Sequence, residues 1–519
     1  MTRYTLEQKH AAVVRALALV AMLLAVAGNS LAQDGDGAGE AVPIRIDIAR
    51  TRHTMAGGIG ASWHAIGPTP YWYGDLDGRE NRICRGSGFG GYPPLGFTKA
   101  WDDLRAHARW LGLSFCRVEV DVRMYEPDRR RFDWDNDEMK ALDRILDICR
   151  ANHADVFLTQ MWQDVAWNAH AGVSRLQSAP RSVDDFAHGL GTLLERLVKT
   201  KGYTCIRWVA VNNEPGFDGC WWLGPDKKAA GIMPAVRALR AELDRRGLGK
   251  LSVAGPDSFN LAMAGFQAED KAVGALALHC YEGEAPTELF RTATATAAAR
   301  GIPVFVTEFG HFFAADCEGV SFAEGGPRSA APKSYAAQLL NAEKVIRGLN
   351  AGIDGLNRWS FINRGDLDGQ WQMVRTWNPV TWEYLKEVRP EPAPYYAYGI
   401  LARFTARHSD VLDTQCDSRR VFAVALRSPK GDLTVLVLNK SERAEPMRLS
   451  LAGLQADRAL WMYRVTEDAV SKPDYRMEPQ RKFEIGPARR EIADTLPAGS
   501  ITAYSSRRLA HAEPGVAAE

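Results

Sequence analysis

A short apolar run, a loop and a helical stretch recur in that order from residue 53 to residue 392, a rhythm that few folds accommodate. The apolar runs are Met55–Trp63, Ser114–Asp121, Asp155–Trp162, Arg207–Asn213, Leu251–Gly255, Leu276–Tyr281, Val304–Glu308 and Gly355–Phe361. Short runs with little alternation read as parallel strands covered on both faces. The intervening stretches carry helical periodicity. Over Asp137–Arg150, residues Met139, Leu142, Ile145, Leu146 and Cys149 keep to one face, and Val183–Lys199 behaves likewise. Strands alternating with helices in this number predict an α/β fold, a (β/α)8 TIM barrel spanning 53–392. A doubly wound open sheet is the competing arrangement.

The rhythm ends near Pro392. After a linking helix over Tyr395–Thr405 come Val421–Arg427, Leu433–Asn439, Met447–Leu451, Ala459–Val465 and Ser500–Ser505, punctuated by turns such as Pro429-Lys430-Gly431-Asp432. Short strands so spaced predict an appended C-terminal β-sandwich over 393–507. Residues 44–52 open with the strict alternation Ile44–Ile48 and have no place in the barrel pattern, so this N-terminal strand is expected to join the sandwich. Residues 1–32 have the three-part layout of a signal peptide: Arg3, Lys9 and Arg15, then apolar Ala16–Gly28, then Ser30-Leu31-Ala32. Residues 33–43 form a linker and 508–519 a small polar tail. A secreted or periplasmic protein is expected, with no membrane attachment after signal removal. The 64 Lys+Arg against 63 Asp+Glu offer no basic footprint for nucleic acid, and nothing in the composition fixes an oligomeric state.

Several motifs carry little. The eight cysteines include no Cys-x-x-Cys. Cys116, Cys149 and Cys280 read as core thiols, whereas Cys84, Cys220 and Cys317 lie in loop-like stretches where an exported protein can form disulfides. Gly86–Gly91 has the G-x-G-x-x-G spacing, but Pro93-Pro94 follows where a dinucleotide site needs a helix. Asp75-x-Asp77-Gly78 and Asp366-x-Asp368-Gly369 read as polar turns rather than calcium loops. No metal site and no cofactor is implied.

Two strand ends carry the chemistry. Arg207–Trp222 (RWVAVNNEPGFDGCWW) ends its strand in Asn213 and Glu214, stopped by Pro215-Gly216. Ile302–His311 (IPVFVTEFGH) ends its strand in Glu308. A carboxylate at the C-terminal end of a barrel strand stands at the active face. Cleaving an acetal needs a proton for the leaving oxygen and negative charge beside an oxocarbenium-like centre, so one carboxyl stays protonated while the other is ionised. Alternation places Arg117, Glu119 and Asp121 on one face of the second strand, and His279 with Tyr281 on one face of the sixth. Glu119 and Asp121 read equally well as structural partners of Arg117. Trp162, Trp167, Trp221, Trp222, Trp371 and Trp377 fall at or beyond strand ends, where indole faces suit the C–H faces of sugars.

Asn213-Glu214-Pro215 and Thr307-Glu308-Phe309-Gly310 resemble the acid/base and nucleophile signatures of clan A glycoside hydrolases, retaining enzymes on (β/α)8 barrels. With its sandwich and N-terminal strand, the chain is most similar to glycoside hydrolase family 30, with families 5 and 39 close behind. Val306 stands where family 30 usually has Trp. The resemblance, over 53–390, implies Glu214 as acid/base and Glu308 as nucleophile. It also implies Arg117, Asn213, His279 and Tyr281 around them, and Trp162 and Trp359 as aromatic sugar contacts. Arg117 and Tyr281 are expected to keep Glu308 ionised across the working pH range. The function so implied is a retaining β-glycoside hydrolase that cleaves β-linked oligo- or polysaccharide by double displacement. A non-catalytic carbohydrate-binding protein on the same barrel and a transglycosidase are the alternatives.

Overall fold

The computed structural model of the protein describes residues 40–67, 92–216, 222–258, 267–281, 285–310, 334–362, 371–377 and 383–509. The signal-like segment, most of the linker, Cys84, Cys220, Cys317, Gly86–Gly91, Trp221, the two aspartate turns and the tail from residue 510 lie outside these, as does the side chain of Trp377. None of the described helices is long and apolar enough to cross a membrane.

The first strand, β1 (Val42–Thr54), leads into β2 (Ile59–Ala61) and β3 (Trp63–His64). Then follow β4 (Phe115–Val120), β5 (Asp155–Gln160), β6 (Ile206–Ala210), β7 (Ser252–Ser258), β8 (Ala275–Cys280), β9 (Val304–Phe309) and β10 (Gly355–Arg358). All but β1 form one parallel sheet in the order β2-β10-β9-β8-β7-β6-β5-β4-β3. Segments β2 and β3 are two halves of a single strand broken at Ser62. The first half pairs with β10 and the second with β4, so the sheet closes on itself. A Cβ on Gly60 would lie 1.5 Å from the Phe115 carbonyl oxygen, so glycine lets the split strand press against β4. Closure establishes the (β/α)8 barrel and excludes the open sheet.

Inside the barrel, Phe115, Phe157, Trp208 and Phe305 fill the floor with Ala210, Ala254, Ala275 and Ala277. The Phe305 ring lies 5.0 Å from Phe115 and 4.5 Å from Trp208. The alternate residues of β4, Cys116, Val118 and Val120, face the helical shell. The inward face of β4 therefore runs Phe115, Arg117, Glu119, apolar below and charged above.

Two bulges break this alternation. On β7, Pro256 and Ser258 pair with consecutive Ala277 and Leu278, so Asp257 is an extra residue, held at φ 53°. On β9, Val306 and Phe309 pair with Leu356 and Arg358, and Val306 and Glu308 with Leu278 and His279. An extra residue re-aims the side chains around it. Thr307 and Glu308 thus both join the inner polar set, while Val306 and Phe309 pack in the shell.

Helices start where the sequence supplies caps. The side chains of Asn136, Ser182 and Ser334 accept from Met139, Asp185 and Ala337 N–H groups ahead of helices Asp137–Ala151, Val183–Glu195 and Tyr335–Asn350.

After the barrel, β11 (Val374–Trp377) and β12 (Tyr384–Pro390) form a hairpin. Helix Pro392–Phe404 leads to β13 (Asp410–Gln415), β14 (Val421–Arg427), β15 (Leu433–Asn439), β16 (Glu445–Ala452), β17 (Arg458–Val465), β18 (Arg481–Ile485), β19 (Glu491–Leu496) and β20 (Ser500–Ser505). With β1 these form a second sheet in the order β18-β17-β20-β15-β14-β13-β1-β16-β19. Its two ends curl over one core containing Ile44, Leu449, Leu460, Phe483 and Ile492, and Arg464 on β17 reaches Asp494 on β19 at 2.6 Å. Strand β1 runs parallel to β16 and antiparallel to β13.

The linking helix is itself barrel shell. Tyr398 donates its hydroxyl to the Gly60 carbonyl at 2.6 Å, and Tyr395 stacks on Trp110 at 4.7 Å. Ending the chain at Pro392 would remove these contacts and leave β1 without either neighbour. Such a truncation is expected to be insoluble. A soluble product with a cooperative melt would show that the barrel stands without the sheet.

Candidate active site

The polar layer above the barrel floor is organised around one guanidinium. Arg117 has no exposed surface. Its Nε donates to Thr159 Oγ1 at 3.0 Å, Nη1 to Glu308 Oε1 at 2.6 Å and to Glu119, and Nη2 to Asn213 Oδ1 at 2.6 Å and Asp257 Oδ2 at 3.0 Å. Strands β4, β5, β7 and β9, with the turn after β6, converge on this one side chain.

Glu308 accepts from Arg117 on one oxygen and from the Tyr281 hydroxyl, at 2.7 Å, on the other. His279 stands between the acidic groups. Its Nδ1 lies 2.7 Å from Glu214 Oε1 and 3.5 Å from Glu308 Oε2, and its Nε2 lies 3.1 Å from Asp257 Oδ1. Glu214 sits just beyond β6 with φ 47°, a left-handed conformation costly for a residue with a Cβ, and its N–H donates to the Asp257 carbonyl at 2.9 Å. One donor atom each from Glu214, His279 and Glu308 lie within 4.8 Å of one another.

Charge explains the protonation pattern. Burial alone would raise Asp257 and lower His279. Arg117, together with hydrogen bonds from His279 and Thr307, instead holds Asp257 well below the usual carboxylate range. Against burial, the Glu308 charge and hydrogen bonds to Asp257 and Glu214 lift His279 to about 10, so it is an imidazolium. With one charged donor between two carboxyl groups, the three clustered groups can hold and pass a proton. Burial pushes Glu308 up to about 7. Attraction to His279 and Arg117 opposes this, and repulsion from Glu214 and Glu119 adds to it. Burial thus works against the permanent charge that Arg117 and Tyr281 were expected to keep on Glu308.

Of the residues singled out in the sequence, Glu214, Glu308, Arg117, Asn213, His279 and Tyr281 meet in this one network. Glu119 is a structural partner, paired with Arg117 and, at 2.5 Å, with His64. Trp359 directly follows β10 and meets His64 edge-on at 4.7 Å. Trp162 is buried at the end of β5, its backbone N–H donating to Asp121 Oδ1 at 3.0 Å. Burial pushes the Asp121 carboxyl well up. Trp222 packs on Phe186 in the shell, and Trp371 lies edge-on to Tyr281 at 5.4 Å. Trp167 donates Nε1 to the Glu126 carbonyl at 3.2 Å. Sequence reasoning missed Asp257, His64, Thr159 and Thr307. Asp257 had one faint signal, an acidic residue directly after the apolar run that ends in Gly255-Pro256.

No protein-family model matches the chain, and no curated sequence matches it. Solved structures do match in fold. A glycoside hydrolase family 30 subfamily 8 xylanase from Clostridium acetobutylicum superposes with a TM-score of 0.57 at 15% identity, over 89% of this chain and 99% of its own. An endo-β-1,6-glucanase gives 0.59 at 14% identity, over 90% and 95% of the two chains. A conserved exported protein from Bacteroides fragilis gives 0.59 at 12% identity, over 89% and 99%. At these identities the likeness establishes the shared architecture, a (β/α)8 barrel carrying a β-rich domain.

The raised Glu308 carboxyl has a consequence for stability. Ionising it is easier in the unfolded chain, near 4.5, than in the folded protein, near 7, so stability falls as pH rises through that window and is flat above it. The loss amounts to about 3 kcal/mol. Glu308→Gln, which mimics the neutral form, should melt with the parent at pH 4 and clearly above it at pH 8. Equal melting temperatures at pH 8 would contradict this assignment.

Proposed function

We propose that the protein is a secreted or periplasmic retaining β-glycoside hydrolase acting on β-linked oligo- or polysaccharide. The observation that carries this reading is the pair Glu214 and Glu308 at the mouth of the barrel, with one carboxylate oxygen of each within 4.8 Å of the other. Retaining glycosidases hold their two carboxyl groups about 5–5.5 Å apart, whereas inverting ones need about 6.5–9.5 Å to admit a water. The leader-like first 32 residues support export. Among similarly folded proteins, one is named a xylanase and another an endo-β-1,6-glucanase, which supports a β-linked polysaccharide substrate.

The residues take roles that follow from their contacts. The pair of glutamates holds one proton in its reactive form. Arg117 and Tyr281 both donate to Glu308, which favours the negative charge there and aims its oxygens. His279 holds one oxygen of Glu214 at 2.7 Å and so aims its carboxyl group. Glu308 attacks the anomeric carbon while Glu214 protonates the departing oxygen, giving a glycosyl-enzyme. Glu214 then takes a proton from water, which attacks the same carbon and releases Glu308. Asn213 turns its amide oxygen to Arg117, leaving the amide nitrogen for the sugar 2-hydroxyl.

Two variants separate these roles. Glu214→Ala should retain turnover of aryl glycosides whose leaving group needs no proton, and added azide should yield the β-glycosyl azide. Glu308→Gly should abolish turnover even of those substrates, and azide should yield the α anomer. Near-parental rates for Glu308→Gly on an activated aryl glycoside would place the nucleophile elsewhere, with Glu119, Glu282 and Glu318 the next residues to replace.

A further inference from the structure

We propose that Lys344 is a positioning residue for Glu308 and links the appended sheet to the active site, an inference that rests on reading Glu308 as the nucleophile. Lys344 lies on the helix Tyr335–Asn350, between β9 and β10, and is fully buried. Its Nζ donates to the Tyr281 carbonyl at 2.6 Å and to the Gly310 carbonyl at 2.8 Å. Those carbonyls stand just past β8 and β9, the strands that present the phenol and the carboxylate it bonds. Glu308 sits in the β9 bulge, where the regular strand ladder is interrupted on both sides. The β8–β9 ladder resumes at His279–Glu308 and Cys280–Phe309 but stops one residue short of Tyr281, so it does not by itself fix the spacing of Tyr281 and Glu308. An ammonium with charge-assisted hydrogen bonds to both strand ends does fix it. Ordinary helix-on-sheet packing would be met by an apolar side chain, since a buried ammonium is unfavourable without such partners.

The neighbouring residue faces the other way. Glu343 is also fully buried, and it pairs with Lys440, just after β15 in the appended sheet, at 2.7 Å. The same helix is tied to that sheet at both ends. Tyr335 donates its hydroxyl to the Val465 carbonyl at 2.9 Å, and Asn350 donates to the Ala423 carbonyl at 2.8 Å. Toward the barrel, Gln338 accepts from Arg358 on β10 at 3.2 Å, and Arg358 holds the Trp371 carbonyl at 2.7 Å. The appended sheet sets the helix, and the helix sets the ends of β8, β9 and β10. Through its bonds to the Tyr281 and Gly310 carbonyls, Lys344 acts on the backbone that carries Tyr281 and Glu308.

The test compares the parent with Lys344→Met and Lys440→Met by two readouts. The first needs no turnover: the step in melting temperature against pH that Glu308 produces. Loosening the Tyr281 hydroxyl from Glu308 removes a donor from the charged form, so this step should move upward by roughly half a pH unit or more in Lys344→Met. The second is turnover of an activated aryl β-glycoside. Here kcat should fall roughly 10- to 100-fold in Lys344→Met with KM changed less than about threefold, because misplacement costs the reacting geometry more than binding. Lys440→Met should lower kcat in the same direction by a smaller factor. A folded Lys344→Met with parental kcat and a parental step overturns the proposal. Should Lys344→Met fail to fold, a folded Lys440→Met at parental kcat and with an unmoved step overturns it instead. If the parent itself turns over no glycoside, the nucleophile reading fails, and the stability step alone decides whether Lys344 positions Glu308.

Discussion

The buried guanidinium of Arg117 is the constraint to which the rest of the site answers. A guanidinium has five N–H donors and cannot lose its proton. At this depth each donor needs an acceptor, and Thr159, Glu119, Glu308, Asn213 and Asp257 supply them. Three of these are carboxylates, so the cation also offsets negative charge that the barrel interior would otherwise not tolerate. Removing one partner of such a buried set typically costs about 3–5 kcal/mol, because the charges left behind are uncompensated. The inward face of β4 explains how the chain places a cation there. Below Arg117 is the Phe115 floor, above it Glu119, and the alternation of the strand puts all three in line.

The excess of acid over base in this pocket then generates reactivity. His279 is held charged by the carboxylates around it, and Asp257 is held charged by Arg117 and His279. Glu308 is left as the group whose ionisation the site resists, since desolvation lifts it to about 7. A carboxylate that is reluctantly ionised yet aimed by two donors is destabilised before reaction and neutralised on forming a covalent bond. The strained left-handed backbones of Glu214 and Asp257, joined by the Glu214 N–H to Asp257 carbonyl bond, are tolerated because this network over-determines them.

Much of this was legible in the sequence where regular alternation holds. Arg117, His279 and Tyr281 lie on strands whose parity places them inward, and Glu214 follows a run that Pro215-Gly216 visibly ends. Asp257 was not legible because the β7 bulge adds a residue and reverses the alternation past Pro256. His64 was hidden by the split of the first strand into two short halves. The ionisation of Glu308 depends on how much water packing excludes, which local sequence does not encode. Strands β13, β18 and β19 escaped for another reason: they carry few buried apolar residues, as in Arg481–Ile485, where only Phe483 and Ile485 are buried. The strand-end tryptophans show the converse error, since an aromatic such as Trp222 can meet the sequence pattern of a sugar contact and still belong to the shell.

The account stands on Glu308 forming a bond to the sugar. The most direct measurement is covalent trapping: the parent is incubated with 2-deoxy-2-fluoro β-glycosides carrying activated leaving groups, digested, and the adduct located by mass spectrometry. The account predicts one sugar per chain, attached to Glu308, with loss of activity in step with labelling. A sugar attached to another carboxylate, or first-formed products of inverted configuration, would contradict it.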